Sequence, residues 1–143
     1  MIFTLRSGGT AHPETSVLQN ITDLISSSGI LSIAGNQFKA EAQAVPDLTV
    51  KVKIGRAYIK GALTNSYPVR SDADESVTIA PNSSGNPRID TIVLYIDLSA
   101  AANLDASNVA KLIVVQGTPA ALPVAPTTSV IQTAIGSANP FIT

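Results

Sequence analysis

The stretch G-N-P-R-I-D-T-I-V-L-Y-I-D-L-S, residues 85–99, joins a turn, two opposite charges and a run of five apolar residues. A continuous apolar run of this length, bounded by turn formers, is typical of a strand buried on both faces. Arg88 and Asp90 are two positions apart, so both side chains project from the same face of the strand. We predict that they pair with each other, or cap the carbonyls of a neighbouring loop, and so fix where this central strand begins.

The surrounding residues, from 30 to 116, predict further strands and turns. Leu112 to Val115 form a second apolar run, which indicates a second buried strand. From Leu48 to Ile54 apolar and polar residues alternate, which predicts a strand with one solvated face. After Gly55 the apolar set shifts by one residue, and we predict that a bulge at Gly55 absorbs this shift.

Residues 13–28 have the pattern of an amphipathic helix. The apolar residues are spaced as i, i+4, i+7 and i+8, at Val17, Ile21, Leu24 and Ile25. Pro13 suits the first turn of a helix, and Gly29 suits its end. We predict that this helix docks through its apolar stripe on a neighbouring subunit; the alternative is that the stripe packs in the core of its own chain.

Three of the prolines in the C-terminal part lie close together, at positions 119, 123 and 126. The spacing of Pro119, Pro123 and Pro126 favours an extended strap over a strand. A short helical turn over residues 130–135 is expected to follow. We expect the strap to reach neighbouring subunits.

These patterns predict a mainly β protein: a jelly-roll-like β-sandwich with an N-terminal helix and a Pro-rich extended C-terminal segment. The predicted parts are an arm and helix at 1–29, a sandwich core at 30–117, and a strap with a short helical turn at 118–143. The last part leads into a strand that we expect to be truncated at Thr143.

The composition excludes several kinds of partner. Charged residues make up 13% of the chain and hydrophobic residues 45%, a balance that suits surfaces covered by another chain. The net charge of -1 provides no basic field for nucleic acid or for a membrane surface. The N-terminus lacks the pattern of a signal peptide, so synthesis in a cytoplasm is expected.

Few residues offer catalytic or metal-binding chemistry. The chain has one histidine and no cysteine, and we predict neither a cofactor nor a metal site nor an enzyme. Residues 71–76, S-D-A-D-E-S, place three acids together, but they lack the spacing of a calcium loop, and a solvated loop is favoured. A polymer hydrolase would need paired carboxylates in a cleft, and the acids placed for that are Asp72, Asp74, Glu75, Asp90 and Asp97.

Three motifs, taken in order, resemble a family of tailed-bacteriophage proteins. They are V-K-V-K-I-G-R-A-Y-I-K-G (50–61), N-P-R-I-D-T-I-V-L-Y-I-D (86–97) and K-L-I-V-V-Q-G-T-P-A (111–120). Members of this family are tail-tip, baseplate or tail-fibre components, and their N-terminal β-rich domain attaches the protein to the virion. The resemblance implies a structural role without catalysis. It also implies that Gly55 and the Arg-Ile-Asp at 88–90 determine the fold and do not bind a ligand.

The resemblance leads us to expect an oligomeric adaptor, a trimer or hexamer, that binds other virion tail or baseplate proteins. It would be made in the host bacterial cytoplasm and reside in the virion. Similar proteins continue past N-P-F-I with another strand, so we expect a longer fibre or a partner that supplies it. The alternative is a module that itself recognises a host glycan or protein, with the expected loop at 64–76 as the candidate site.

Overall fold

A computed structural model describes residues 27–31, 35–45, 47–61, 66–100 and 108–143. These residues are mainly β, as predicted, with three small antiparallel sheets and a short helix on the C-terminal side. Strands β1 to β9 span Gly29–Ile30, Ala40–Ala42, Thr49–Val52, Gly55–Lys60, Ser66–Ser71, Glu75–Thr78, Thr91–Ile96, Ala110–Val115 and Phe141–Ile142, and helix α1 spans Thr128–Ile135.

Each sheet has three strands. Sheet A has the order β1-β4-β5, sheet B has β2-β3-β6, and sheet C has β8-β7-β9. The central strand β7 carries the apolar run at 92–96, and Leu94 is paired with Leu112 of β8 and with Ile142 of β9. The last strand, β9, which we expected to be truncated, thus pairs with β7 at the centre of sheet C through two residues.

Strand β7 is buried on both faces, which confirms the prediction from its continuous apolar run. Leu94 and Ile96 pack on one side against the apolar residues of sheet A. Val93 and Tyr95 pack on the other side against α1. Because successive side chains of a strand alternate between its faces, one run of residues supplies both halves of the core.

Helix α1 forms where the sequence predicts a short helical turn. The Thr127 hydroxyl accepts a hydrogen bond from the backbone N–H of Val130, which caps the first turn. Ile131 and Ile135, one turn apart, form its buried face. Gly136 ends the helix with a φ of +99°, a conformation that favours glycine. None of the helices in the described part is long and apolar enough to cross a membrane.

The predicted N-terminal helix falls almost wholly outside the described residues, and so do the four residues of its apolar stripe, Val17, Ile21, Leu24 and Ile25. Its expected stop, Gly29, is the first residue of β1. Just before it, the Ser28 hydroxyl accepts a hydrogen bond from the Lys60 N–H at 2.8 Å and ties the start of β1 to β4.

The prediction of a bulge at Gly55 is wrong. The apolar positions shift by one residue there because the chain leaves one sheet and enters another. Strand β3 belongs to sheet B and β4, which begins at Gly55, belongs to sheet A. Glycine is required at this position for a different reason: a β-carbon would lie 2.6 Å from the backbone nitrogen of Phe38. The chain therefore passes between sheets at a point of close backbone approach.

Candidate functional site

The side chains of Arg88 and Asp90 form an ion pair at the start of β7. Both are nearly buried, with 8% and 12% of their side-chain surface exposed. Arg88 Nη2 donates to Asp90 Oδ2 at 2.8 Å. Arg88 Nε lies 2.8 Å from Asp90 Oδ1, a charge contact in which the N–H is not aligned as a hydrogen bond. The predicted pairing is confirmed.

The same pair holds two other segments of the chain. Arg88 Nη2 also donates to the carbonyl oxygen of Ala80 at 2.6 Å, so the predicted capping of a neighbouring loop is confirmed as well. The backbone N–H of Gly117 donates to Asp90 Oδ1 at 3.0 Å. The segment after β6, the start of β7 and the end of β8 therefore meet at one ion pair.

Electrostatics keeps this pair charged. Burial alone would raise the pKa of Asp90, but the hydrogen bond from Arg88, the N–H of Gly117 and the charge of the guanidinium outweigh it. The pKa of Asp90 lies below its ordinary value as a result. A nearly buried pair that is neutral overall and bonded to two other segments of the chain suits a structural role.

The strap, defined here as residues 116–127, forms neither a helix nor a strand, as its proline spacing predicts. It is held on the body by the Ala120 N–H, which donates to the Pro87 carbonyl at 3.1 Å. The three prolines at 119, 123 and 126 are half-buried. Between them, Leu122 and Val124 are 89% and 73% exposed.

The exposed apolar residues of the strap belong to a surface without charge. Residues 112–143 contain no Asp, Glu, Lys, Arg or His. The loop at 81–87, against which the strap is bonded through Pro87, contains none either. We call the exposed residues of 81–89 and 116–138 the neutral face. The sequence prediction named the prolines and missed Leu122 and Val124; the long uncharged stretch around them was the available signal.

A cleft of about 820 Å³ lies between the sheets. Its apolar lining residues include Phe38, Val69 and Leu112, and its charged lining residues are Arg70, Asp72, Glu75 and Lys111.

The prediction of a loop at 64–76 is wrong for the residues described. Strands β5 and β6 occupy 66–71 and 75–78, and a short turn joins them. Pro68 is accommodated because β5 is an edge strand of sheet A.

Two of the three acids at 72–75 have different partners. Asp72 pairs with Arg70. Asp74 accepts from Lys53 Nζ at 2.6 Å and from the Ile54 N–H at 3.1 Å, and these contacts lower its pKa. Within the described ranges no group of three or more His, Cys, Asp or Glu side chains is placed to hold a metal ion.

Asp97, at the end of β7, is also engaged. It accepts from Lys111 Nζ at 2.6 Å and from the Ser99 hydroxyl at 2.6 Å. These two hydrogen bonds lower the pKa of Asp97 to about 2. Lys111 belongs to β8, so this contact pins the far end of the β7–β8 pair, as the Arg88–Asp90 pair pins the near end.

In comparisons with known proteins, no family model matches the chain, and neither a curated protein nor a solved structure is significantly similar to it.

Proposed function

We propose that the chain is a structural protein of a tailed-phage virion, an adaptor in the tail, baseplate or tail fibre. It would attach a distal host-recognition part by packing and not by catalysis. One observation carries the proposal: the motifs that resemble the phage family fall on residues that join segments of the fold. Gly55 lies at the crossing between sheets, and Arg88, Asp90 and Gly117 meet at the start of β7.

The packing between sheets supports a rigid block of the kind an adaptor needs. Ala57 and Ile59 of sheet A contact the same apolar cluster as Leu94 and Ile96 of sheet C. This face-to-face contact favours the jelly-roll-like sandwich expected from the sequence, with sheets A and C as its layers. We propose that arrangement for the domain as a whole.

The partners we propose are other tail or baseplate proteins and further copies of this chain, in a trimer or a hexamer. The exposed Leu122 and Val124 support this, because large apolar side chains on an uncharged surface suit a covered interface. The site of action would be the virion, after synthesis in the host bacterial cytoplasm.

A nonsense mutation in a phage or prophage genome that encodes the chain tests the proposal. Particles produced without the chain should have incomplete tails in negative-stain electron microscopy or fail to adsorb to host cells. Supplying the chain from a plasmid should restore both. Normal, infectious particles from the mutant would count against a structural role.

The cleft supports a second candidate function, the binding of a host glycan or protein. Its apolar and charged lining residues resemble the general make-up of ligand sites. Binding to a glycan array, reduced by Glu75→Ala and unchanged by Glu41→Ala outside the cleft, would support it. An array without specific hits for the wild-type chain would argue for the adaptor role alone.

A further inference from the structure

We infer that the neutral face binds the neutral face of a second copy of the chain around a two-fold axis. The inference rests on the proposed structural role and names the partner of its exposed surface. It also selects among assemblies, because a two-fold contact builds a dimer or a hexamer of three dimers and does not build a trimer.

A hydrogen bond and a close approach join the segments that carry the neutral face. The hydrogen bond from Ala120 to the Pro87 carbonyl joins the strap to the loop before β7. Gly117 lies against both Ile89 and Val124, so these segments are in direct contact. Helix α1 follows the strap at residue 128 and exposes Val130 at its first turn.

Four of the nine large exposed apolar side chains of the described residues lie on the neutral face, and Leu122 of the strap is the most exposed of them. Leu122, Val124, Val130 and Ile89 are 89%, 73%, 48% and 43% exposed. Single exposed apolar side chains are normal on a soluble protein, but adjoining ones mark surfaces that bind another protein. Prolines on either side of Leu122 restrict the backbone, so little conformational entropy is lost when the strap is covered.

The charge distribution favours an identical partner. When two copies of one surface meet across a two-fold axis, a charge near the axis faces its own copy, and like charges in contact are costly. The residues of the neutral face carry no charge, and the neighbouring Arg88 and Asp90 form a nearly buried pair of opposite charges. A different partner commonly gains specificity from opposite charges, and this surface offers none for it to recognise.

The neutral face has enough exposed residues to supply one side of a stable interface. The neutral face contains 23 exposed residues, eight in 81–89 and fifteen in 116–138. Specific protein interfaces use roughly 20–30 residues on each side. The core of a homodimer interface is typically apolar and poor in charged residues, which matches Leu122 and Val124 at the most exposed point of the strap.

The test is the mass of the purified chain in solution, measured by light scattering behind a sizing column across micromolar concentrations. The wild type should give a mass of two or six chains. Leu122→Asp would bury an unpaired carboxylate in the interface on each copy and should halve that mass, to one chain from a dimer or to three from a hexamer. Its circular dichroism and unfolding midpoint should stay those of the wild type, because the side chain is 89% exposed.

Val45→Asp is the matched control, since Val45 is 77% exposed and lies between β2 and β3, outside the neutral face. Its mass should equal that of the wild type.

A monomeric or trimeric wild type would overturn the inference, and so would an unchanged mass in Leu122→Asp. Either result would leave the virion role standing, because a different tail protein would then cover the face. Failure of the virion role would appear separately, as normal particles from the nonsense mutant.

Discussion

Gly117 lies so close to Ile89 that a β-carbon on Gly117 would stand 2.1 Å from the Ile89 carbonyl oxygen. The neighbouring atom is backbone, so it cannot rotate away as a flexible side chain would. The same Gly117 donates its N–H to Asp90. The end of β8 and the start of β7 are thus fitted together at a glycine, and the strap begins there.

Gly117→Ala should therefore lower the free energy of unfolding by about 2 kcal/mol or more, the usual cost of forcing extra atoms into a packed region. Gly29→Ala is the control, because a β-carbon at Gly29 meets nothing within 4 Å. Urea unfolding followed by circular dichroism measures both variants. Equal stability of the two would contradict the close approach.

Asp90→Asn removes the charge partner of a nearly buried Arg88 without changing the size of the side chain. Leaving a buried charge unpaired typically costs about 3–5 kcal/mol of stability, and we expect a loss in this range. Asp72→Asn breaks the Arg70–Asp72 pair, whose side chains are 62% and 70% exposed, and should cost about 1 kcal/mol or less. A small effect at Asp90 would mean that the pair does not hold the start of β7.

Acid should destabilise the fold in a defined window. The pKa of Asp97 is lowered to about 2, and those of Asp74 and Asp90 are lowered too. In the unfolded chain these carboxyls have pKa values of about 4, so their stabilising effect is complete above about pH 4 and lost as the pH falls towards 2. Urea midpoints measured across this range should fall steeply for the wild type and less steeply for Asp97→Asn. Identical slopes would show that the Lys111–Asp97 contact contributes nothing.

Ile131 of α1 is 4% exposed and packs against Val93 and Tyr95 of β7. Ile131→Ala should lower the free energy of unfolding by about 2–5 kcal/mol, as expected for a large-to-small change in a core. Val130→Ala changes a neighbour that is 48% exposed and serves as the control, with an expected loss below about 1 kcal/mol. A core that did not include the helix would give similar, small effects for both.

The parts of the fold that depend on neighbours in sequence were predictable. The two apolar runs predicted strands where β7 and β8 lie, and the alternation before Gly55 predicted β3. The spacing of Ile131 and Ile135 predicted α1. The pairing of Arg88 with Asp90 was also predicted from their spacing, although both residues precede β7, which begins at Thr91. Each of these signals is local and periodic.

The parts that depend on distant residues were not predictable from the sequence. The phase shift at Gly55 indicates that the buried face changes, but a bulge and a crossing between sheets produce the same pattern. Strand β5 looked like a loop because it contains Pro68, which only an edge position accommodates. The partners Ala80 and Gly117 of the ion pair come from separate segments, so no local pattern could name them.

The proposed adaptor role is tested most directly by locating the chain in phage particles. Particles from a phage or prophage that encodes the chain can be purified, their tails separated from their heads, and both fractions analysed by quantitative mass spectrometry. Peptides of this chain are expected in the tail fraction, at a fixed ratio to the other tail proteins in independent preparations. Peptides confined to the cell lysate, or absent from intact tails, would contradict the adaptor role.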